Sequence, residues 1–125
     1  DIAAGSYTDT GLDMPFPISN YNIARLTDSG GYEVFVTFAG RLGTGTVTDA
    51  VQGFFPHDGS ATVYTSDPYP TATSPGGVAV VDNIACVFGG FNGSAVSSST
   101  YIFDITAAAG SPWTAGPDVT CRKYT

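Results

Sequence analysis

Two stretches decide how this chain is read: YEVFVTFAGR at residues 32–41 and NIACVFGGF at residues 83–91. Laid over one another at an offset of 50 residues, both are rich in the β-branched and aromatic side chains that strands favour. Each ends in a small pair, Ala39-Gly40 and Gly89-Gly90, directly after Phe38 and Phe88. Such regularity at a period near 50 is the signature of a repeat.

The flanks repeat as well. Residues 20–27 lead into the turn Asp28-Ser29-Gly30-Gly31, and residues 77–81 lead into Asp82-Asn83. These residue types supply the positive φ angles of tight hairpins. After each small pair comes a polar loop, expected over residues 42–49 and 92–98. A third strand follows, ending in Phe54-Phe55 or in Tyr101-Ile102-Phe103. Turns holding Gly59-Ser60 and Gly110-Ser111 precede a short fourth strand with Val63-Tyr64 or Trp113, and both copies leave through proline, Pro68 and Pro70, then Pro117. Pro15-Phe16-Pro17 looks like the same exit from an earlier unit, and residues 119–125 like the first strand of a further one. Helix is not expected, because no window carries apolar residues at i, i+3, i+4 and i+7 without an interrupting Gly or Pro. Ala107-Ala108-Ala109 is too short to nucleate one.

The second copy resembles the kelch motif: Ile84-Ala85-Cys86-Val87-Phe88-Gly89-Gly90, then Tyr101, then Trp113. Gly89-Gly90 suits a sharp bend where a side chain would clash. Tyr101 and Trp113 suit burial of a broad aromatic surface against a neighbouring blade. In the first copy Ala39 stands before Gly40, and no Trp follows. The resemblance implies an all-β fold of two four-stranded antiparallel β-propeller blades plus a partial strand of a further blade. Residues 1–19 would be the exit of a preceding blade, 20–70 the first blade, 71–118 the second, and 119–125 the start of another. Propellers close with about 4 to 8 blades. Two alone would leave Val-, Phe- and Tyr-rich faces bare, so further blades of the same protein or a homo-oligomer are expected.

Composition narrows the function. Hydrophobic residues make up 42% and charged ones 12%, which excludes a disordered chain. The longest apolar run, residues 84–88, is far short of the ~18 residues of a membrane helix. A formal net charge of −7 is repelled by phosphate backbones and anionic lipids, so neither nucleic acid nor membrane is an expected partner. The first residue is Asp1, which suggests a removed leader or an internal start. Scarce Lys, abundant Gly, Ser and Thr, and the sequon Asn92-Gly93-Ser94 point to a secreted, extracellular glycoprotein modified at Asn92. Cys86 and Cys121 allow one disulfide in that setting, while Cys86, lying in an apolar strand, also suits a buried free thiol.

No catalytic, cofactor or metal site is expected. The single His, His57, falls in the turn Pro56-His57-Asp58-Gly59, and Glu33 is the only Glu. Asp28, Asp58, Asp82 and Asp104 stand where turns want them. Gly43-Thr44-Gly45-Thr46 has no following Lys or helix and is no phosphate loop. A copper site of Tyr and His, as in galactose-oxidase-like propellers, would need more His than this chain has. Candidate contacts therefore lie in loops, at Arg41, Tyr69 and Phe91, with Tyr21 beside them. Aromatics among Gly, Ser and Asn suit a sugar ring or another protein, although the same residues also suit the packing between blades. The leading expectation is a non-catalytic extracellular scaffold or binding module for protein or carbohydrate, within a larger chain or assembly. The alternatives are a fragment of a secreted galactose-oxidase-like or carbohydrate-active enzyme, and a subunit of a repetitive extracellular filament or array.

Overall fold

A computed structural model of the chain describes residues 3, 5, 9–56 and 62–120. His57, Asp58 and the Gly59-Ser60 turn lie outside them, as do Cys121 and most of the expected third unit. Among the described residues there is no helix. The described residues form nine strands, β1 (Ile18–Ser19), β2 (Asn22–Thr27), β3 (Glu33–Leu42), β4 (Val47–Phe55), β5 (Thr62–Thr65), β6 (Ser74–Val81), β7 (Ile84–Phe91), β8 (Val96–Asp104) and β9 (Trp113–Gly116). They form two antiparallel sheets. In the first, β3 pairs with β1 and β2 on one side and β4 on the other, and β5 closes the edge. The second runs β6-β7-β8-β9.

The two middle strands stand where the repeat places them. In each sheet the ladder slips at the small pair, between Phe38 and Gly40 and between Phe88 and Gly90. Two residues of the neighbouring strand, Asp49-Ala50 and Ser98-Ser99, stand opposite the single Ala39 or Gly89. The bulge needs left-handed backbone: φ is 51° at Ala39, 122° at Gly40, 61° at Gly89 and 114° at Gly90. At Gly40 and Gly90 space is short too. A Cβ there would lie 2.6 Å from Ser19 O and 2.3 Å from Ser74 O.

Turn chemistry explains the hairpins. Asp82 and Asn83 both have positive φ, 49° and 66°, and join β6 to β7 as the two-residue turn suited to twisted strands. The longer β2–β3 turn is held by Asp28, whose carboxylate accepts from the amides of Gly30 (2.9 Å) and Tyr32 (2.8 Å). The third strands are longer than expected. The polar loops shrink to residues 43–46 and 92–95, and β4 and β8 begin at Val47 and Val96. The Ser-rich start of β8 reads as loop by composition. It becomes strand because Val96 and Ser97 pair with Phe91 and Gly90 across the bulge.

The core lies between the sheets. Leu26, Val34, Val36, Phe38 and Val51 of the first sheet meet Ala85, Val87 and Phe103 of the second, all buried. Phe38 forms edge contacts with Phe103 (5.3 Å) and Trp113 (5.6 Å). Residues 66–73, which connect the sheets, are threaded between them and bonded to both. Ser66 N, Tyr69 N and Thr73 N donate to Val51, Asp49 and Thr48 carbonyls, and Gly40 N donates to Thr73 O. On the other side Trp113 Nε1 donates to Asp67 O (3.1 Å) and Gly110 N to the Asp67 carboxylate (2.9 Å).

Candidate functional site

Side chains alternate across a strand, so each sheet has two faces. In the first sheet Val34, Val36 and Phe38 face the partner sheet, while Phe35 and Thr37 face away, beside Phe54 and Gln52. In the second, Ala85 and Val87 face the partner sheet with Tyr101 and Phe103, while Ile84, Cys86 and Phe88 face away beside Ile102 and Thr100.

The repeat offset relates these faces in a specific way. Val34, Val36 and Phe38 correspond to Ile84, Cys86 and Phe88, so the inner face of the first sheet is equivalent to the outer face of the second. Through the bulge-aligned third strands, Gln52 and Phe54 on the outer face of the first sheet correspond to Tyr101 and Phe103 on the inner face of the second. The interface is therefore head to tail, and a copy of each contacting surface remains on the outside. Leu26 and Val81 hold the same place, opposite the first residue of the aligned middle strands, yet Leu26 is 1% exposed and Val81 61%. Ile23, which corresponds to the half-buried Val78, is 51% exposed.

The chain segments at the two outer faces follow the same pattern. Tyr69, between Pro68 and Pro70, packs on Tyr101 (5.2 Å) and Trp113 (5.0 Å) while its N–H bonds Asp49 O. Phe16, between Pro15 and Pro17, lies on the equivalent of Tyr101: Gln52 donates from Nε2 to Phe16 O (3.0 Å) and accepts at Oε1 from Phe16 N (2.8 Å). At the other end Val119 N donates to Ser98 O at 2.8 Å, as Tyr69 N does to the equivalent Asp49 O.

The positions picked out in the sequence divide. Gly40, Gly89 and Gly90 form the bulges, and Tyr101 and Trp113 lie in the seam between the sheets. Tyr69, a candidate loop contact that also suited packing between the blades, is core and not a loop contact: it is 3% exposed, drawn in by its two aromatic neighbours and its backbone bond. Its hydroxyl is pushed above the ordinary tyrosine range by burial and, secondarily, by Tyr101. Arg41 and Phe91 come together, the guanidinium 5.3 Å from the ring centroid. Tyr21 is 44% exposed. Asn92 is exposed, and its Oδ1 accepts from Ser94 N, Ser94 Oγ and Ala95 N, which bends the 92–95 turn. Cys86 is a half-buried thiol on the outer face of the second sheet.

Sequence reading missed Gln52, a side chain 1% exposed whose amide secures residues 13–17. A lone amide within the run VQGFF was the available signal. It also missed the latch between turns, where Asn83 donates to Thr27 O (2.8 Å) and accepts from Thr27 N (2.7 Å).

A groove of about 540 Å³ opens at one end of the seam beside Asp28, Phe55, Tyr64, Asp67 and Pro112. Desolvation by burial, and then Asp28, raise the Tyr64 hydroxyl to about 12. That hydroxyl is buried without a hydrogen-bond partner among the described residues, and the Asp67 carboxylate is engaged by Gly110 N. Among the described residues no three His, Cys, Asp or Glu side chains converge. What the arrangement does chemically is bury apolar sheet faces against one another, with a matching face on each outer side, that of the first sheet partly covered by the segment at Phe16. Comparison with models of known protein families gives no match, and comparison with curated proteins gives none.

Proposed function

We propose that this chain is a non-catalytic extracellular scaffold or binding module whose two sheets are kelch-like propeller blades within a larger chain or assembly. One observation carries this reading. Val81 occupies the position that Leu26 holds in the closed seam, yet is 61% exposed. An apolar side chain at a core-equivalent position, on a sheet face with Ile84, Cys86 and Phe88, is placed for another sheet and not for water. Binding would then fall to the strand ends, where Arg41, Phe91 and Tyr21 offer aromatic and cationic surface to a sugar or protein. Secretion and glycosylation belong to the same proposal and rest on the sequon at Asn92, whose side chain is exposed.

The test is the mass of the denatured, reduced polypeptide from its native source, before and after glycan removal. The expected result is either a polypeptide several times 12.8 kDa, or one near 12.8 kDa recovered as a multi-chain assembly. A short polypeptide recovered as a monomer would overturn the reading. The head-to-tail relation of the sheets favours a second form, a repetitive array of short chains.

A further inference from the structure

Resting on that reading, we infer that the outer face of the second sheet receives the outer face of the first sheet of a second copy of this chain, head to tail. The argument is one of equivalence within the molecule. The closed seam joins a surface centred on Phe38 to one centred on Phe103. The outer face of the second sheet carries the half-buried Phe88 at the place of Phe38, and the outer face of the first carries the half-buried Phe54 at the place of Phe103. A second copy set down with the geometry of the existing seam brings its Phe54 against Phe88 and its Ile23 toward the neighbour's exposed strand.

The connecting segments mark where this contact lies. In the closed seam Tyr69 lies between the sheets, bonded to β4 and edge-on to Tyr101. At the proposed contact Val119 is already bonded to the Ser98 carbonyl on one side, and Phe16 to Gln52 on the other. Both flanking segments thus fall on the single path that the connection takes through the existing interface, so one of the two must swing aside for the second copy to seat. The contact is heterologous, since the two faces differ, so a copy with one face blocked can still offer the other.

Sedimentation velocity and light scattering over a concentration series test this directly. Wild-type chain is expected to associate with rising concentration, and more strongly in salt, because copies of net charge −7 repel one another. Val81→Lys blocks the second-sheet face and Ile23→Lys the first. Both sites are exposed, and each added lysine lowers the net negative charge, so lost association cannot come from added repulsion. Each variant alone is expected to associate at least ~10-fold more weakly. An equal mixture is expected to restore a one-to-one dimer that grows no further. If either substitution lowers the melting temperature, Val81→Ser and Ile23→Ser replace them in the same scheme.

A monomeric wild-type chain at millimolar concentration overturns the inference, as does a mixture that stays monomeric. Association lost in Val81→Lys but kept in Ile23→Lys means that the second-sheet face pairs with itself, which overturns it too. A monomeric recombinant chain beside a large native polypeptide would sink the second copy while leaving the scaffold reading intact.

Discussion

The guanidinium of Arg41 sits 5.3 Å from the ring centroid of Phe91, and the two residues occupy the same position of their repeats. Each follows the bulge glycine at the end of its middle strand. The pair closes one end of the seam, with Arg41 also donating to Gly45 O at 3.0 Å. Replacing Arg41 with Ala should cost about 0.5–1 kcal/mol, the size of an exposed cation–π contact. Chemical denaturation checks it, and Arg41→Lys should fall between the two.

Trp113 is the central ring of the seam, touching Phe38, Tyr69 and Phe103. Trp113→Ala should destabilise by ~3–5 kcal/mol, the usual loss for truncating a packed aromatic. Trp113→Phe should retain most packing and lose about 1 kcal/mol with the bond to Asp67 O. An unchanged melting temperature in the Ala variant would remove Trp113 from the core.

The two bulge glycines should respond differently. Ala39 already holds the left-handed conformation equivalent to Gly89, so Gly89→Ala should fold at a cost of about 1–2 kcal/mol. At Gly90 an added Cβ meets Ser74 O at 2.3 Å and Pro75 Cα at 2.8 Å, on top of a φ of 114°. Gly90→Ala should lose well over twice as much. Equal melting temperatures for the pair would contradict the geometry.

Alkaline pH should unfold the protein through its buried tyrosines. Burial, with Asp28 adding to it, lifts Tyr64 to about 12, and burial with Tyr101 lifts Tyr69. In the unfolded chain tyrosine ionises near pH ~10. Above that value the unfolded state sheds protons that the folded state keeps, so stability falls as pH rises. The contribution of Tyr64 is therefore complete below pH ~10 and is lost as pH climbs toward its folded value. Tyr64→Phe should flatten part of this fall and leave neutral-pH stability equal or slightly higher, since the lost hydroxyl is buried without a partner among the described residues. Denaturation midpoints across the alkaline range, read beside tyrosinate absorbance, decide it.

Gln52→Met should free residues 13–17 while keeping the sheet. The two amide bonds to Phe16 are worth about 1–2 kcal/mol together. Hydrogen exchange at the Phe16 amide should accelerate strongly, with amides of β3 unaffected. Continued protection of Phe16 would mean that packing and not the amide holds this segment.

Much of the fold was legible because the repeat is carried by backbone chemistry. Ala39-Gly40 and Gly89-Gly90 mark bulges, Asp82-Asn83 marks a hairpin, and such residues mean the same thing wherever they occur. The extent of the third strands was not legible. Ser97 to Thr100 has no apolar alternation; Ser97 and Thr100 pair with β7 on either side of the bulge, and Thr100 also pairs with Gly116 of β9. Tyr69 was legible as an aromatic suited either to a loop contact or to packing, and only its contacts with Tyr101 and Trp113, more than 30 residues further on, decide for the core. The face relationship followed from the repeat offset together with strand alternation. It could be drawn only once the pairing fixed which side of each strand meets the other sheet.

The segment from Ser66 to Thr73 has a mechanical consequence. Its amides are bonded to β4, its Thr73 carbonyl to β3, and its Asp67 to the β8–β9 side. A connection of this kind cannot serve as a hinge, and a protease finds no slack loop there to cut. The two repeats should melt in a single transition. Tension applied along the chain would have to break the seam before either sheet could peel away from the other.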